Sequence, residues 1–188
     1  PPRSTPSKSS AASDVYKRQA ENPLGHDHHR SITISHENVN GIPFETESIE
    51  AWRAAGIENP QIGRIINQQI LRLEDGPIFG RMIAKLKWQA PTGEIFLDEI
   101  RDVTMYSLES NERIIDFDIK LKAVADEVKF GKTAYACLAV RVSKCLSVLY
   151  GGGCIKNSNG DTNEAEVNLK RAEWFDYSGP VTKEKPIP

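Results

Sequence analysis

Hydrophobic and polar residues alternate with a period of two along most of the chain after Ile62. The clearest run is RIIDFDIKLKA at 113–123, where apolar side chains from Ile115 to Leu121 occupy every second position and charged side chains lie between them. IFGRMIAKLKW at 78–88 shows the same alternation. Such alternation is typical of antiparallel strands that bury one face and expose the other to water.

Short polar turns separate these segments. Turn residues occur in EDGP at 74–77, APTGE at 90–94 and SNGD at 158–161. ACLAVRV at 136–142 and RAEWFDYSG at 171–179 have the composition of two further strands. Strands joined in this way predict an all-β fold, an antiparallel β-sandwich. The side chains predicted for its core are Trp88, Phe117, Ile119, Leu121 and Ala139.

One segment has helical spacing instead. In TESIEAWRAAG at 46–56, Ile49 and Trp52 are three positions apart, Thr46 can cap the first turn, and Gly56 can end the last. The sequence therefore predicts a single short helix there.

The first nineteen residues, PPRSTPSKSSAASDVYKRQ, are rich in serine and proline and poor in large apolar side chains. Such a segment buries too little surface to order itself. It is similar to the adapter-like leaders of environmental (metagenomic) reading frames, which predicts a disordered, non-native leader at 1–19. The remainder, 20–188, is predicted to form a single β-sandwich domain that is truncated at its C-terminal end, where a polar, proline-rich run follows the last strand.

Composition and charge restrict the partners. Hydrophobic residues make up 39% of the chain, charged residues 27%, and the net charge is −2, which is ordinary for a globular protein and lacks the basic face that nucleic acid requires. No segment approaches the run of about 18 apolar residues that crosses a bilayer. The three cysteines lack zinc-site spacing and are predicted to be free thiols. The chain is therefore predicted to bind neither nucleic acid nor membrane.

All the histidines of the chain lie in one short window, with HDHHR at 26–30 followed by His36. Imidazoles are common metal ligands and acid–base groups near neutral pH. A three-histidine metal site requires a turn that returns His36 to the cluster, and the alternative is an exposed loop without a ligand. Asp27 and Arg30 favour a polar site that binds hydroxyls or a carboxylate. No tightly held metal or other cofactor is predicted.

A second polar group lies near the end of the chain. In KRAEWFDYSG at 170–179, Arg171, Glu173 and Tyr177 have the same parity, so a strand would carry a cation, a carboxylate and a phenol on one face. This face is either a structural salt-bridge ladder or one wall of a polar cleft, and the sequence leaves both open.

Several motifs in order carry a family resemblance. They are HDHHRS, ENVNGIPF, QQILRLEDG, IDFDIKLKA, VKFGKTAYACLAVRV, GGGCIKNSNG and KRAEWFDYSGPV. From about Leu24 to Val181 the chain resembles the PmoA-like domain family, whose members often carry the label "methane oxygenase PmoA". The resemblance implies a bacterial β-sandwich of the galactose-mutarotase type, associated with carbohydrate breakdown and suspected to be secreted or periplasmic. The family's HHRG motif corresponds to 28–31, with Ser31 in place of the glycine.

The residues and the resemblance together predict a polar cleft that binds or processes a carbohydrate or polyol. His28, His29 and Glu173 are the predicted catalytic residues: in a mutarotase-like reaction, histidine protonates the ring oxygen while a carboxylate removes the anomeric proton. The predicted substrate-binding residues are Arg30, Arg171, Trp174 and Tyr177.

Two alternatives stand beside this prediction. The family label implies a copper-dependent oxygenase with His28, His29 and His36 at its metal. The other alternative is a sugar-binding module without catalysis.

Overall fold

The computed structural model describes residues 32–44, 61–108, 112–133 and 137–179. The predicted leader, the predicted helix at 46–56, and the predicted site residues His28, His29 and Arg30 lie outside the described residues. The chain divides into two compact units, Thr33–Ala139 (the sheet unit) and Pro1–Ile32 with Val140–Pro188 (the hairpin unit). The domain predicted at 20–188 includes residues of both units.

The described residues are mostly β-structure with a few short helical turns. The strands are β1 (Ile32–Ile34), β2 (His36–Val39), β3 (Ile42–Phe44), β4 (Arg64–Glu74), β5 (Phe79–Gln89), β6 (Ile95–Ser107), β7 (Arg113–Ala123), β8 (Leu138–Val140), β9 (Cys154–Asn157) and β10 (Phe175–Ser178). A 3₁₀ turn covers Lys144–Leu146, and the α-helical turns are α1 (Val148–Gly151) and α2 (Asn163–Val167). The all-β prediction is confirmed.

The sheet unit is built on a four-stranded antiparallel sheet in the order β4-β5-β6-β7. The alternating segments at 78–88 and 113–123 form β5 and β7, as their period predicted. The turn between β5 and β6 places Gly93 at φ 95°, a backbone conformation that glycine adopts without the strain a Cβ would add. β2 and β3 form an antiparallel hairpin, and β1 pairs with β8.

The register gives the sheet two chemically different faces. The apolar face carries Ile65, Ile70, Leu73, Met82, Ala84, Leu86, Trp88, Leu97, Glu99, Arg101, Val103, Met105, Ile115, Phe117, Ile119, Leu121 and Ala123. The other face, called the charged face below, carries most of the charged side chains, and Ile66, Phe79, Ile83, Ile100, Tyr106 and Ile114 lie among them. Its charged residues are Arg72, Glu74, Arg81, Lys85, Lys87, Asp98, Asp102, Asp116, Asp118, Lys120 and Lys122. This separation follows from the alternation in the sequence, since successive side chains of a strand point to opposite faces.

The core lies at one end of the apolar face, where the β2–β3 hairpin packs on the sheet. Phe44 lies 5.2 Å from Trp88 and 6.0 Å from Phe96, measured between ring centroids. Gly63 packs so closely that a Cβ there would overlap the ring of Phe44. The β2–β3 hairpin and the four-stranded sheet thus form the two-layered, sandwich-like part of the fold. The buried cluster between them consists of Val39, Phe44, Trp88, Ala90, Phe96 and Leu97.

The predicted core is only partly correct. Trp88 is buried, whereas Phe117 and Ile119 are half-buried and Leu121 and Ala139 are exposed. The reason is that the β2–β3 hairpin covers the Trp88 end of the apolar face. Among the described residues, nothing covers the opposite end as fully, and Leu73 is 76% exposed there.

In the hairpin unit, β9 and β10 form an antiparallel pair with Tyr177 opposite Ile155 and Phe175 opposite Asn157. β10 begins only at Phe175, so the strand predicted over 171–179 is shorter than its composition indicated. Arg171 and Glu173 precede the strand, and the single strand face predicted to carry them with Tyr177 does not form.

Candidate functional site

Four predicted site residues lie close together in sequence on the β9–β10 hairpin. Arg171, Glu173, Trp174 and Tyr177 are all exposed, with Trp174 at 53% and Tyr177 at 42%. Phe175, which the sequence reasoning did not single out, is exposed beside them. These five side chains are called the hairpin surface below.

The backbone beneath the hairpin surface is fixed by polar contacts. The backbone N–H of Ser158 donates to the carbonyl oxygen of Trp174 at 3.2 Å, and the Glu173 N–H donates to Oγ of Ser158 at 2.8 Å. Nδ2 of Asn159 donates to the carbonyl oxygen of Arg171 at 2.8 Å. These bonds use main-chain atoms of Arg171, Glu173 and Trp174 and leave the side chains of these three residues exposed.

The charged side chains of the hairpin surface do not form the salt-bridge ladder that was one of the two possibilities left open by the sequence. Within the part of the chain that the structure describes, neither Arg171 nor Glu173 makes an ion pair. An exposed cation and an exposed carboxylate beside aromatic side chains can donate to and accept from the hydroxyls of a ligand.

The turn that supports the hairpin is organised by Asn157, which is 2% exposed. Its Oδ1 accepts from the backbone N–H groups of Asn159 and Asp161, each at 3.0 Å. Its Nδ2 donates to Oδ2 of Asp161 at 3.0 Å, and Nζ of Lys170 lies 2.9 Å from Oδ1 of the same carboxylate. The hydrogen bond from Asn157, and after it that from Lys170, lowers the pKa of Asp161 below its ordinary value.

Asp161→Asn is expected to destabilise the hairpin unit at neutral pH and to reduce its sensitivity to acid. Because the folded pKa of Asp161 is lowered, its stabilising effect is fully present above the unfolded pKa of about 3.9 and is lost as the pH falls through the folded pKa. The stability of the hairpin unit in the parent and in the variant is measured by thermal unfolding, followed at the Trp174 indole, at pH 7 and in acid. Asp176→Asn, at an exposed position of β10, is the control. If the stability of Asp161→Asn depended on pH as that of the parent does, the stabilising role of the Asp161 carboxylate would be wrong.

His36, the described member of the histidine group, lies inside the sheet unit and is 7% exposed. Its Nδ1 accepts from the backbone N–H of Asn38 at 3.1 Å, and its ring meets Phe130 edge-on at 5.1 Å between centroids. One ring nitrogen is therefore occupied by the backbone of its own strand. The described residues contain no group of three or more His, Cys, Asp or Glu side chains placed to hold a metal ion.

The sheet unit contains a buried polar network that the sequence reasoning missed. Glu99 lies on the apolar face with 0% exposure. Its Oε2 accepts from the indole Nε1 of Trp88 at 2.7 Å, and its Oε1 accepts from Nε of Arg101 at 2.6 Å. The signal was available, because Glu99 and Arg101 fall on the buried parity of IFLDEIRDVTMYS at 95–107, where a half-buried strand is expected to be apolar.

Comparison with known families identifies the chain at family level. The family described as "Family of unknown function (DUF6807)" matches residues 6–187. The chain belongs to this family. The DUF6807 match begins within the segment predicted as a leader and extends through both units. No curated protein and no solved structure matches this DUF6807 protein significantly.

Two arrangements in this DUF6807 protein are therefore candidates for chemistry, the hairpin surface and the Trp88–Glu99–Arg101 network. The first combines exposed rings with exposed charges, and the second places a charged pair among apolar side chains. In the described part of the chain, no helix is long and apolar enough to cross a membrane.

Proposed function

We propose that this DUF6807 protein binds a carbohydrate or polyol on the hairpin surface. The observation that carries the proposal is the exposure of Trp174, Phe175 and Tyr177, three aromatic side chains within four consecutive positions. Large exposed apolar groups that cluster on a surface mark binding sites. A sugar ring offers C–H groups that pack on an aromatic face, while its hydroxyls need directional polar partners.

The polar partners are supplied by residues of the same segment. Arg171 has donors only and Glu173, when ionised, has acceptors only, so together they satisfy both functions of a hydroxyl group. Their main chain is held by the 158–159 turn, so the segment loses little backbone freedom when a ligand binds. This preorganisation supports a ligand site at the hairpin.

We propose further that the protein has a galactose-mutarotase-type sandwich and that it catalyses a reaction of the bound sugar. Glu173 then removes the proton of the anomeric hydroxyl while His28 or His29 protonates the ring oxygen, which opens the ring, and closure in the opposite sense gives the other anomer. Arg30 joins Arg171 in holding substrate hydroxyls. Glu173 is exposed and has no ion-pair partner among the described residues, so its carboxylate is accessible to a bound sugar.

Trp174→Ala is expected to weaken sugar binding about tenfold or more, because it removes the largest stacking surface, and tenfold corresponds to about 1.4 kcal/mol. Binding is measured by titrating ¹⁵N-labelled protein with glucose, galactose and their oligosaccharides while observing the Trp174 indole cross-peak. In the variant, binding is followed at the backbone amides of β10. Phe79→Ala, which removes a partly exposed ring from the sheet unit, is the matched control and should leave affinity unchanged.

Two outcomes would refute the proposal: no member of the panel perturbs the Trp174 cross-peak, or Trp174→Ala binds as the parent does. NMR exchange between the two anomers of a bound sugar then separates an enzyme from a binding module. Faster exchange than in buffer indicates catalysis, and an unchanged rate with saturable binding indicates a module.

A further inference from the structure

Arg81 and Arg101 lie on opposite faces of the same sheet and use their guanidinium groups differently. Arg81 donates to Asp102 through both Nε, at 2.9 Å, and Nη2, at 2.5 Å. Arg101 donates to Glu99 through Nε alone, at 2.6 Å. The other Glu99 oxygen accepts instead from Trp88, at 2.7 Å. The indole therefore occupies the Glu99 oxygen that would otherwise accept a second hydrogen bond from Arg101. Among the described residues, the terminal nitrogens of Arg101 have no hydrogen-bond partner.

The surroundings of Arg101 are apolar. The register places Ala84 and Ile119 opposite it on the two neighbouring strands, and Val103 follows it on the same face. The terminal nitrogens of Arg101 are open to solvent, so a ligand that packs on these apolar neighbours must supply an acceptor in place of the water that it displaces. The Arg101 side chain is 22% exposed whereas that of Glu99 is 0% exposed, so a ligand can reach the arginine but not the carboxylate.

The charge balance decides which kind of acceptor fits. Glu99 already neutralises Arg101, and the described part of the apolar face carries no second cation. A ligand carboxylate would leave one uncompensated negative charge among apolar side chains, which is unfavourable. A neutral carbonyl oxygen accepts from the same two nitrogens without that penalty.

We propose that Arg101 is the polar anchor of a second binding site, which takes a neutral ligand with a planar carbonyl group and an apolar ring. The carbonyl accepts from the terminal nitrogens of Arg101, and the ring lies on the apolar face beside Val103, Phe117 and Ile119. Phe117 and Ile119 are half-buried, so they offer contact area to a ligand. This site is independent of the carbohydrate proposal, since it lies in the sheet unit.

The test uses two probes of equal shape, benzamide and benzoate, titrated separately into the full ¹⁵N-labelled chain. Benzamide is expected to shift the Arg101 Nε–H and Trp88 indole cross-peaks saturably, with an affinity at least tenfold higher than that of benzoate. The Trp174 indole reports the hairpin surface in the same spectra, so failure at one site is distinguished from failure at the other. The proposal is overturned if benzamide leaves the Arg101 and Trp88 signals unchanged, or if benzoate binds as tightly.

Variants locate the site. Arg101→Lys keeps a cation beside Glu99 but removes the terminal nitrogens, so benzamide affinity should fall at least tenfold. Arg81→Lys makes the same change on the charged face and should leave benzamide affinity unchanged. Equal affinity in Arg101→Lys and the parent would overturn the assignment. If Arg101→Lys does not fold, the comparison of benzamide with benzoate on the parent decides the question without it.

Discussion

Glu99→Ala should lower the free energy of unfolding by about 3–5 kcal/mol, the usual consequence of removing one partner of a buried ion pair. The carboxylate is 0% exposed and accepts from both Trp88 and Arg101, so its loss leaves the buried indole N–H without an acceptor and the partly exposed guanidinium without its counter-ion. Urea denaturation followed at the Trp88 indole cross-peak measures the effect in the sheet unit.

Two further variants serve as controls for this result. Glu99→Gln keeps one acceptor and removes the charge, so its loss should be intermediate. Asp102→Ala breaks the corresponding pair on the charged face, where water solvates the released Arg81, and its loss should be much smaller. A loss in Glu99→Ala no larger than that in Asp102→Ala would show that the network is not desolvated as the structure indicates.

The double variant Glu99→Leu/Arg101→Leu separates stability from binding. Apolar side chains of similar volume often match or exceed a buried ion pair in stability, so the double variant should be more stable than Glu99→Ala. It should also lose the benzamide response, because the proposed anchor is gone. A double variant that is stable but does not bind would indicate that the pair contributes to binding rather than to folding.

Phe44→Ala should destabilise the sheet unit by a similar amount, about 3–5 kcal/mol, because it removes a large side chain from a closely packed site. Phe44 is 1% exposed and joins the β2–β3 hairpin to the sheet through Trp88 and Phe96. A Cβ at Gly63 would overlap the ring of Phe44, which shows that the ring is closely packed. Its removal is therefore expected to leave a cavity.

The control for Phe44 is Phe79, a residue of the same type on β5 that is 39% exposed. Phe79→Ala leaves no enclosed cavity and should cost much less, as measured by the same urea denaturation. Similar losses for the two variants would contradict the placement of the core at the Trp88 end of the apolar face.

The proposed sites differ in how far the sequence predicted them. Arg171, Glu173 and Tyr177 were singled out from their shared parity and Trp174 as a substrate-binding ring, and the structure exposes all four on one hairpin. The parity argument itself was wrong for Arg171 and Glu173, because β10 begins at Phe175 and alternation has meaning only within a strand. Glu99 and Arg101 were missed although their position on the buried parity of 95–107 was visible in the sequence, and only the structure showed that Trp88, eleven residues away, supplies the partner of the Glu99 carboxylate.

By itself, the sequence determined the all-β class, the positions of β5 and β7, and the division of the sheet into an apolar and a charged face, because these depend on a local period of two. Burial depends on what lies against each position. Phe117 and Trp88 have equivalent patterns, yet the β2–β3 hairpin covers only Trp88. The tertiary structure alone therefore decided where the core lies and which charged residues are buried, since burial is a property of contacts between segments distant in the chain.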